Sequence, residues 1–243
     1  MLVIEHFRAQ MLALVRTPAY SSLTVFTPSI IFIFVGLSVI DSRQTANFLL
    51  GSYSIFAALG VAFFQFGVGI ANERESPWDQ FAHVLPVSPV TRFVAAILAA
   101  IAFAAVAIAI LIGVALSTTD AGMPPSAWGR MLASIFLGAV PMALLGIAIG
   151  YSFPPKAALP AANIVHLSLA FAGGLFIPPE SMPDFMDNIS RVLPTRHIGE
   201  LTWAAVSGDS WPVESWLWLA AYTIVFGILA NLGYRRDEGI RYR

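Results

Sequence analysis

The fold class is decided by one stretch of the sequence, residues 93–116, which reads FVAAILAAIAFAAVAIAILIGVAL. It contains no charged and no polar side chain. An α-helix rises about 1.5 Å per residue, so about 20 such residues cross the roughly 30 Å hydrocarbon core of a bilayer. Residues 93–116 therefore predict a transmembrane helix.

Further apolar runs of similar length lie on both sides of this stretch. Buried helices of a soluble protein would need polar faces, which these runs lack. We therefore expect an all-α integral membrane protein with six transmembrane helices, near residues 22–40, 47–71, 93–116, 130–151, 157–176 and 214–233. The fifth run ends in Gly173-Gly174, and a helix that stops short of crossing is the alternative there.

The composition agrees with a membrane protein. Of the 243 residues, 58% are hydrophobic and 11% are charged, and the mean hydropathy is +0.77, whereas soluble domains carry about 25% charged residues. We expect residues 1–243 to form a single transmembrane domain with short loops. The net charge of −1 gives no basic surface, so no nucleic-acid partner is expected, and the absence of cysteine excludes disulfides and thiolate sites.

The distribution of Lys and Arg predicts the orientation, because cationic loops resist translocation. Placing the N-terminus inside puts nine of the 13 basic residues on the cytoplasmic side, namely Arg8, Arg16, Arg74, Arg92, Lys156, Arg235, Arg236, Arg241 and Arg243. The other side then holds Arg43, Arg130, Arg191 and Arg196. Both termini are therefore predicted to be cytoplasmic.

Residues 1–18 predict an amphipathic helix that lies in the membrane interface. Val3, Phe7 and Met11 recur at helical spacing, with Arg8 elsewhere on the wheel and Arg16 near the lipid headgroups. A frayed tail is the alternative.

The segment 173–213, on the outer side, is expected to form a short helical hairpin between the fifth and sixth spans. Pro178-Pro179 interrupts any continuing helix, and an apolar stripe follows from Phe185 to Leu193. A second helix is expected around residues 198–206. The hairpin lies on the outer surface or is re-entrant, which is possible only where protein or water satisfies its backbone.

Three adjacent charges, Glu73, Arg74 and Glu75, stand between the second and third spans. Ser76 and Pro77 then have the features of a helix start, with Asp79 closing a capping box, and the helix is expected to end at Pro86. Its faces divide into an apolar one, with Trp78 and Phe81, and a polar one, with Asp79 and His83. So short a helix needs a surface to lie against. Because Glu73, Glu75 and Asp79 would repel an anionic leaflet, a basic pocket on a protein partner is favoured; a solvated loop that only stops translocation is the alternative.

The predicted spans contain essentially no ionisable residue except His166, which lies one turn from Asn163. Together with Gln65, these two residues form a candidate transport pathway. The alternative is hydrogen bonding between packed helices. Ion-coupled transporters bind the coupling ion at ionisable side chains or unwound helix segments near the middle of the membrane. The scarcity of ionisable side chains in the predicted spans argues against that class of transporter.

Enzyme chemistry is not expected. The only lysine, Lys156, follows two prolines, which rules out a phosphate-binding loop of the Walker type, and neither HExxH nor GxSxG occurs. We therefore predict no catalytic residue, no metal site and no cofactor bound by this chain. Gly146 and Gly150 form a GxxxG pair that predicts close backbone approach, within one subunit or between two.

Three stretches together resemble the ABC-2 type transporter permeases. They are Glu73-Arg74-Glu75 with the Leu-Pro at 85–86, Arg16-Thr17-Pro18 before the first span, and the Gly- and Pro-rich run from Gly174 to Pro194. They cover the whole chain in order. One departure is Ser76-Pro77, where the family commonly has Gly-Thr.

This resemblance implies a permease subunit of the bacterial cytoplasmic membrane, paired with an identical or similar chain. Two separate ABC ATPase subunits would bind ATP and Mg²⁺, and the loop would supply a cytoplasmic coupling helix that seats in each ATPase. The residues expected at that contact are Glu73, Arg74, Glu75, Trp78, Asp79, Phe81 and His83. We expect ATP-driven export of hydrophobic or amphipathic compounds, drug-like molecules or lipids; polysaccharide or glycolipid export, and a non-transporting scaffold or immunity protein, are the alternatives.

Overall fold

Helices make up most of the structure, a computed structural model that describes residues 2–16, 18–75 and 89–241. Within those ranges there is no β-strand. The α-helices are α1 (Leu2–Arg16), α2 (Pro18–Ile31), α3 (Arg43–Val61), α4 (Gly69–Glu75), α5 (Pro89–Thr118), α6 (Pro125–Ser152), α7 (Pro155–Ala172), α8 (Asp184–Ser190), α9 (Pro194–Ser207) and α10 (Val213–Arg241). A π-helical extension, Phe32–Gly36, continues α2, a π-helical segment, Ala62–Val68, joins α3 to α4, and a 3-10 turn, Pro179–Ser181, precedes α8.

Local sequence explains several helix boundaries. The Ser42 hydroxyl accepts a hydrogen bond from the Thr45 backbone N–H at 3.2 Å, which caps α3. Proline occupies the first turn of α6, α7 and α9, where its missing N–H costs nothing. At the other end of α7, Gly174 has φ +89°, which stops the helix at Ala172.

Four helices in the described residues are long and apolar enough to cross a membrane, judged by length and composition. They are Arg43–Glu75, Val94–Thr118, Pro125–Ser152 and Val213–Asp237. Each contains or nearly coincides with one predicted span. The chain is therefore a multi-pass membrane protein in its helical architecture.

The first and fifth predicted spans do not coincide with any of these four helices, and that they cross the membrane stays a prediction. In the first, the apolar helical stretch is Thr24–Gly36, which is shorter than the predicted 22–40. In the fifth, α7 has 18 residues and carries Lys156, Asn163 and His166, which lower its hydropathy.

Two ends of the helix bundle can be assigned from contacts between helix termini. At one end, which we call the Arg43 end, Arg43 Nε donates to the Asp120 carbonyl oxygen at 3.0 Å, and Asn47 exchanges two hydrogen bonds with the Gly122 backbone, at 3.1 and 2.9 Å. At the opposite Arg74 end, Arg74 contacts the C-terminal parts of α6 and α10. The helices α3, α6 and α10 therefore run from the Arg43 end toward the Arg74 end, and α5 runs in the opposite direction. The chain thus returns to the Arg43 end between α6 and α10.

The π-helical segment packs directly on α6, and two glycines make this possible. A Cβ on Gly146 would lie 2.7 Å from the Ala62 carbonyl oxygen, and one on Gly150 would lie 2.8 Å from the carbonyl oxygens of Phe66 and Gly67. The close approach predicted for this GxxxG pair thus occurs within one subunit.

Helix α9 lies inside the bundle at the Arg43 end. The Trp203 indole N–H donates to Ser52 Oγ at 2.8 Å on α3, and Thr202 Oγ1 lies 3.0 Å from Ser134 Oγ on α6. Ser52 is about 14 Å along α3 from Arg43, at 1.5 Å per residue. The segment predicted as an outer hairpin therefore inserts its second helix among the long helices, where side chains of α3 and α6 satisfy its polar groups.

Candidate coupling site

The Arg74 side chain joins three helix ends at the point where the chain leaves α4 for residues 76–88. Arg74 Nη1 donates to the Gly150 carbonyl oxygen of α6 at 2.6 Å, and Nη2 forms a salt bridge with Asp237 of α10. The guanidinium also lies over the Tyr151 ring, 5.4 Å from its centroid. We call these residues, Arg74, Gly150, Tyr151 and Asp237, the Arg74 cluster.

The sequence explains why Gly150 offers its carbonyl to Arg74. In an α-helix the carbonyl of Gly150 would accept from the N–H of residue 154, but residue 154 is proline and has no N–H. The last carbonyls of a helix need outside donors. Arg74 supplies one, so the Phe153-Pro154-Pro155 turn that ends α6 also creates the site for the arginine.

The pair of Arg74 and Asp237 is largely shielded from solvent. The Arg74 side chain is 19% exposed and that of Asp237 is 13% exposed. Tyr151 extends the contact, since its ring meets that of Tyr234 edge to face with centroids 5.6 Å apart. The ends of α4, α6 and α10 are thus fixed together by charge, hydrogen bonding and ring contacts.

A cleft opens beside the Arg74 cluster, between the ends of α4, α6 and α10. Its volume is about 650 Å³. Apolar side chains of α6 and α10, among them Leu145, Leu229 and Leu232, line one part of the cleft. Charged side chains, including Glu75 and Arg236, line another part. We call it the α6–α10 cleft.

The predicted ATPase-contacting residues divide into two groups. Glu73, Arg74 and Glu75 form the last turn of α4, where Glu73 and Glu75 are exposed and Arg74 turns into the bundle. Trp78, Asp79, Phe81 and His83, with the predicted coupling helix itself, lie outside the described residues. The ATPase contact stays a prediction, and for Arg74 the structure adds a contact within the chain.

The predicted interfacial helix is present as α1, which packs against α5. Phe7 and Met11 are half-buried, whereas Arg8 and Arg16 are exposed. Apolar side chains also face outward, with Ile4 61% and Leu12 51% exposed. Placement in the membrane interface stays a prediction.

Of the three candidate pathway residues, His166 is buried in a group of aromatic rings. Its Nε2 donates to the Phe56 carbonyl oxygen at 3.2 Å, and its ring stacks on that of Phe56 with centroids 4.4 Å apart. These contacts are the hydrogen bond between packed helices that was the alternative interpretation. They give His166 a structural role, and a place on a pathway stays a prediction.

Gln65 and Asn163 do not join His166 in one hydrogen-bonded group. Gln65 lies in the π-helical segment and donates from Nε2 to the Ala96 carbonyl oxygen at 3.4 Å. Its Oε1 is buried with no hydrogen-bond partner in the part of the chain that the structure describes. Asn163 is half-buried on α7.

The sequence reasoning missed a polar cluster at the Arg43 end. Arg196 is bonded to Glu200 at 2.9 Å and to Asp187 at 3.2 Å, while Ser215 donates to Glu200 Oε2 at 2.6 Å. Burial raises the pKa of Glu200, but hydrogen bonds from His197, Ser215 and Arg196 outweigh it and lower the pKa from 4.5 to about 2. The i,i+4 spacing of Arg196 and Glu200 was the available signal. This cluster fixes α8 and α9 to α10.

Metal chemistry finds no support in the described residues. In residues 2–16, 18–75 and 89–241 no group of three or more His, Asp or Glu side chains is placed to hold an ion. That the chain binds no metal stays a prediction.

Two comparisons with known proteins found sequences similar to this chain. Residues 41–232 match a family model described as "ABC-2 family transporter protein". The chain is also similar to "Putative transport permease YvfS" of Bacillus subtilis (strain 168), with 27% identity over 206 residues that cover 85% of this chain and 84% of that protein. The matched region begins just before α3 and extends into α10, so it includes Arg74, Gly150 and Tyr151 of the Arg74 cluster but not Asp237.

Proposed function

This chain belongs to the ABC-2 family of transporter proteins, and from that membership we propose that it is the permease subunit of an ATP-driven exporter. Membership of this family implies partnering with ABC ATPase subunits. Because the given sequence holds no Walker motif, we propose that these subunits are separate polypeptides. We propose two ATPase subunits per complex and a second permease chain, identical or similar. ATP and Mg²⁺ would bind to the ATPases.

The Arg74 cluster is the observation that carries the coupling proposal. It lies immediately before residues 76–88, which are predicted to contact the ATPase, and it ties the end of α4 to α6 and α10. A displacement of the loop would therefore move three long helices together. Packed helices with discrete arrangements are the physical elements that carry such coupling.

The chemistry of the exposed helix faces supports hydrophobic or amphipathic cargo. Within the predicted spans, many large apolar side chains are left exposed by one chain, among them Phe26, Ile30 and Phe34 of the first and Ile101 of the third. A pathway between two such chains would be lined by these groups, which suit drug-like molecules or lipids. Efflux of such compounds, including antibiotics, is the physiological role that we propose.

We propose six spans with both termini in the cytoplasm of a bacterial cell. The four long helices would be joined by α2 with its π-helical extension and by α7. The Arg74 end, with Lys156, Arg235 and Arg236, would face the cytoplasm, in keeping with the excess of basic residues expected on that side.

Charge reversal and truncation at the predicted ATPase contact test the coupling proposal. We expect Glu73→Lys and Trp78→Ala to reduce cargo-stimulated ATPase activity of the reconstituted complex about tenfold, since each removes a hot-spot type of contact worth about 1–2 kcal/mol. Asp184→Lys is the control, because it reverses an exposed carboxylate at the Arg43 end. If all three variants matched the wild type, the predicted contact would be refuted.

A further inference from the structure

The α6–α10 cleft combines apolar walls with a charged rim. Leu229 and Leu232 line it from α10 and are 45% and 57% exposed, and Leu145 lines it from α6. Its volume of about 650 Å³ lies in the range of small-molecule sites, about 300–1,000 Å³. The cleft is therefore large enough to hold a ligand that has an apolar and a polar part.

The position of the cleft indicates that its ligand enters from the bilayer. Leu229 and Leu232 belong to the candidate span Val213–Asp237, and Ile224, Val225 and Ile228 continue the same exposed apolar surface along α10. Arg236 follows Leu232 by one turn, about 6 Å further along the axis. In a bilayer that α10 crosses, the apolar wall would open toward the lipid tails and the charged rim would lie near the lipid headgroups.

The rim charges are balanced. Arg74 and Asp237 line the cleft but are bound to each other. Glu75 and Arg236 also line it, and both are exposed. Wholly basic pockets near the cytoplasmic surface select anionic headgroups, whereas a carboxylate and a guanidinium on one rim match a headgroup that carries both a phosphate and an ammonium.

We propose that the α6–α10 cleft binds one zwitterionic phospholipid of the phosphatidylethanolamine type. Its phosphate contacts Arg236, its ammonium contacts Glu75, and an acyl chain lies against Leu229 and Leu232. This lipid is a resident of the permease and not its cargo.

Native mass spectrometry of the purified chain tests this site without ATPase or ATP, so its result does not depend on the proposed transport function. The chain is mixed with phosphatidylethanolamine and phosphatidylglycerol in equal amounts, and the bound lipids are counted. We expect one phosphatidylethanolamine to be retained and Arg236→Gln to weaken its binding about tenfold, as for loss of a charge-assisted hydrogen bond. Arg235→Gln, a neighbouring exposed arginine outside the cleft lining, should change it less than about twofold.

Two further variants test the contact with the lipid headgroup and the contact with the acyl chain separately. Glu75→Gln should remove the preference for phosphatidylethanolamine over phosphatidylglycerol, and Leu232→Trp should displace both lipids by filling the apolar part of the cleft. Equal retention of phosphatidylethanolamine by wild type and Arg236→Gln would overturn the proposal, and so would equal binding of both lipids, or of neither, by the wild type. Thermal melting identifies any variant that fails to fold. Lipid binding by the wild type and by the folded variants then decides whether the lipid site exists.

Discussion

At the scale of single residues, Arg74 replaces a backbone hydrogen bond that the sequence itself removes. Pro154 leaves the Gly150 carbonyl without its helical donor, and the Arg74 guanidinium occupies that position at 2.6 Å. Its other terminal nitrogen, Nη2, forms the salt bridge with Asp237, whose side chain is 13% exposed. A shielded pair of this kind loses more when one partner is removed than a surface pair does.

We expect Arg74→Ala to lower the free energy of unfolding by about 1–3 kcal/mol, because it leaves the Gly150 carbonyl and the Asp237 carboxylate without this donor. Thermal unfolding in a fixed detergent measures the effect as a lower Tm. Arg235→Ala is the control, since Arg235 is exposed on the same end of the bundle. A Tm for Arg74→Ala equal to that of the control would show that the cluster contributes nothing to stability.

The hydrogen-bond partners of Arg74 and His166 could not be predicted from the sequence. The acidic-Arg-acidic run after a span predicted a contact of Arg74 with an ATPase. No local pattern points to Asp237, which lies 163 positions away. For His166, burial at 3% exposure and the bond to Phe56 follow from how α3 and α7 pack. Partners set by tertiary packing carry no periodic signal along the chain.

At the scale of elements, the π-helical segment and α6 form the tightest backbone contact described above. Gly146 and Gly150 are spaced one turn apart, so both face Ala62–Val68. A π-helical turn places its residues differently from an α-helix, and such turns recur at functional sites. This contact connects the later part of the second predicted span to the end of α6, next to the Arg74 cluster.

Gly150→Ala tests this contact. Its Cβ would lie 2.8 Å from two backbone oxygens, so we expect a loss of about 1–3 kcal/mol from overpacking and a lower Tm. Gly113→Ala is the matched control on α5, because its Cβ would meet nothing within 4 Å, and it should be neutral or stabilising by up to about 1 kcal/mol. The reverse order of the two Tm values would contradict the packing.

Elements were predictable to different degrees for physical reasons. The four long helices followed from apolar runs, since a bilayer allows a long apolar segment little other than a helix. The sequence could not decide whether α9 lies on the outer surface or inside the bundle. Its amphipathic pattern fits the outer surface as well as an interior lined by Ser52 and Ser134. The π-helical segment was missed because its residues have the same apolar composition as an ordinary helix.

At the scale of the whole molecule, the two ends of the bundle differ in their charges. Arg74, Lys156, Arg235 and Arg236 belong to the Arg74 end, whereas Arg43 and Arg130 belong to the other, where Arg130 lies over Trp211 at 5.1 Å. The helix directions place these two groups of residues at opposite ends of the bundle. The assignment of the Arg74 end to the cytoplasm rests on the excess of basic residues.

Terminal tags test that orientation. In sealed right-side-out vesicles, a protease added outside should leave a tag at either terminus intact, because six spans place both termini inside. Cleavage after the vesicles are opened shows that the tags are accessible in principle. Digestion of the C-terminal tag alone in sealed vesicles would require an odd number of spans and would overturn the topology.

The central claim is that this chain moves cargo with energy from a separate ATPase, and purification in mild detergent tests it most directly. ATP turnover is measured for the purified chain alone and for the complex that co-purifies with it. We predict no turnover above background by the chain alone, and turnover by a complex that contains two ABC ATPase subunits for each pair of permease chains. Sustained turnover by the chain alone, or a purified assembly without any ATPase, would contradict the account.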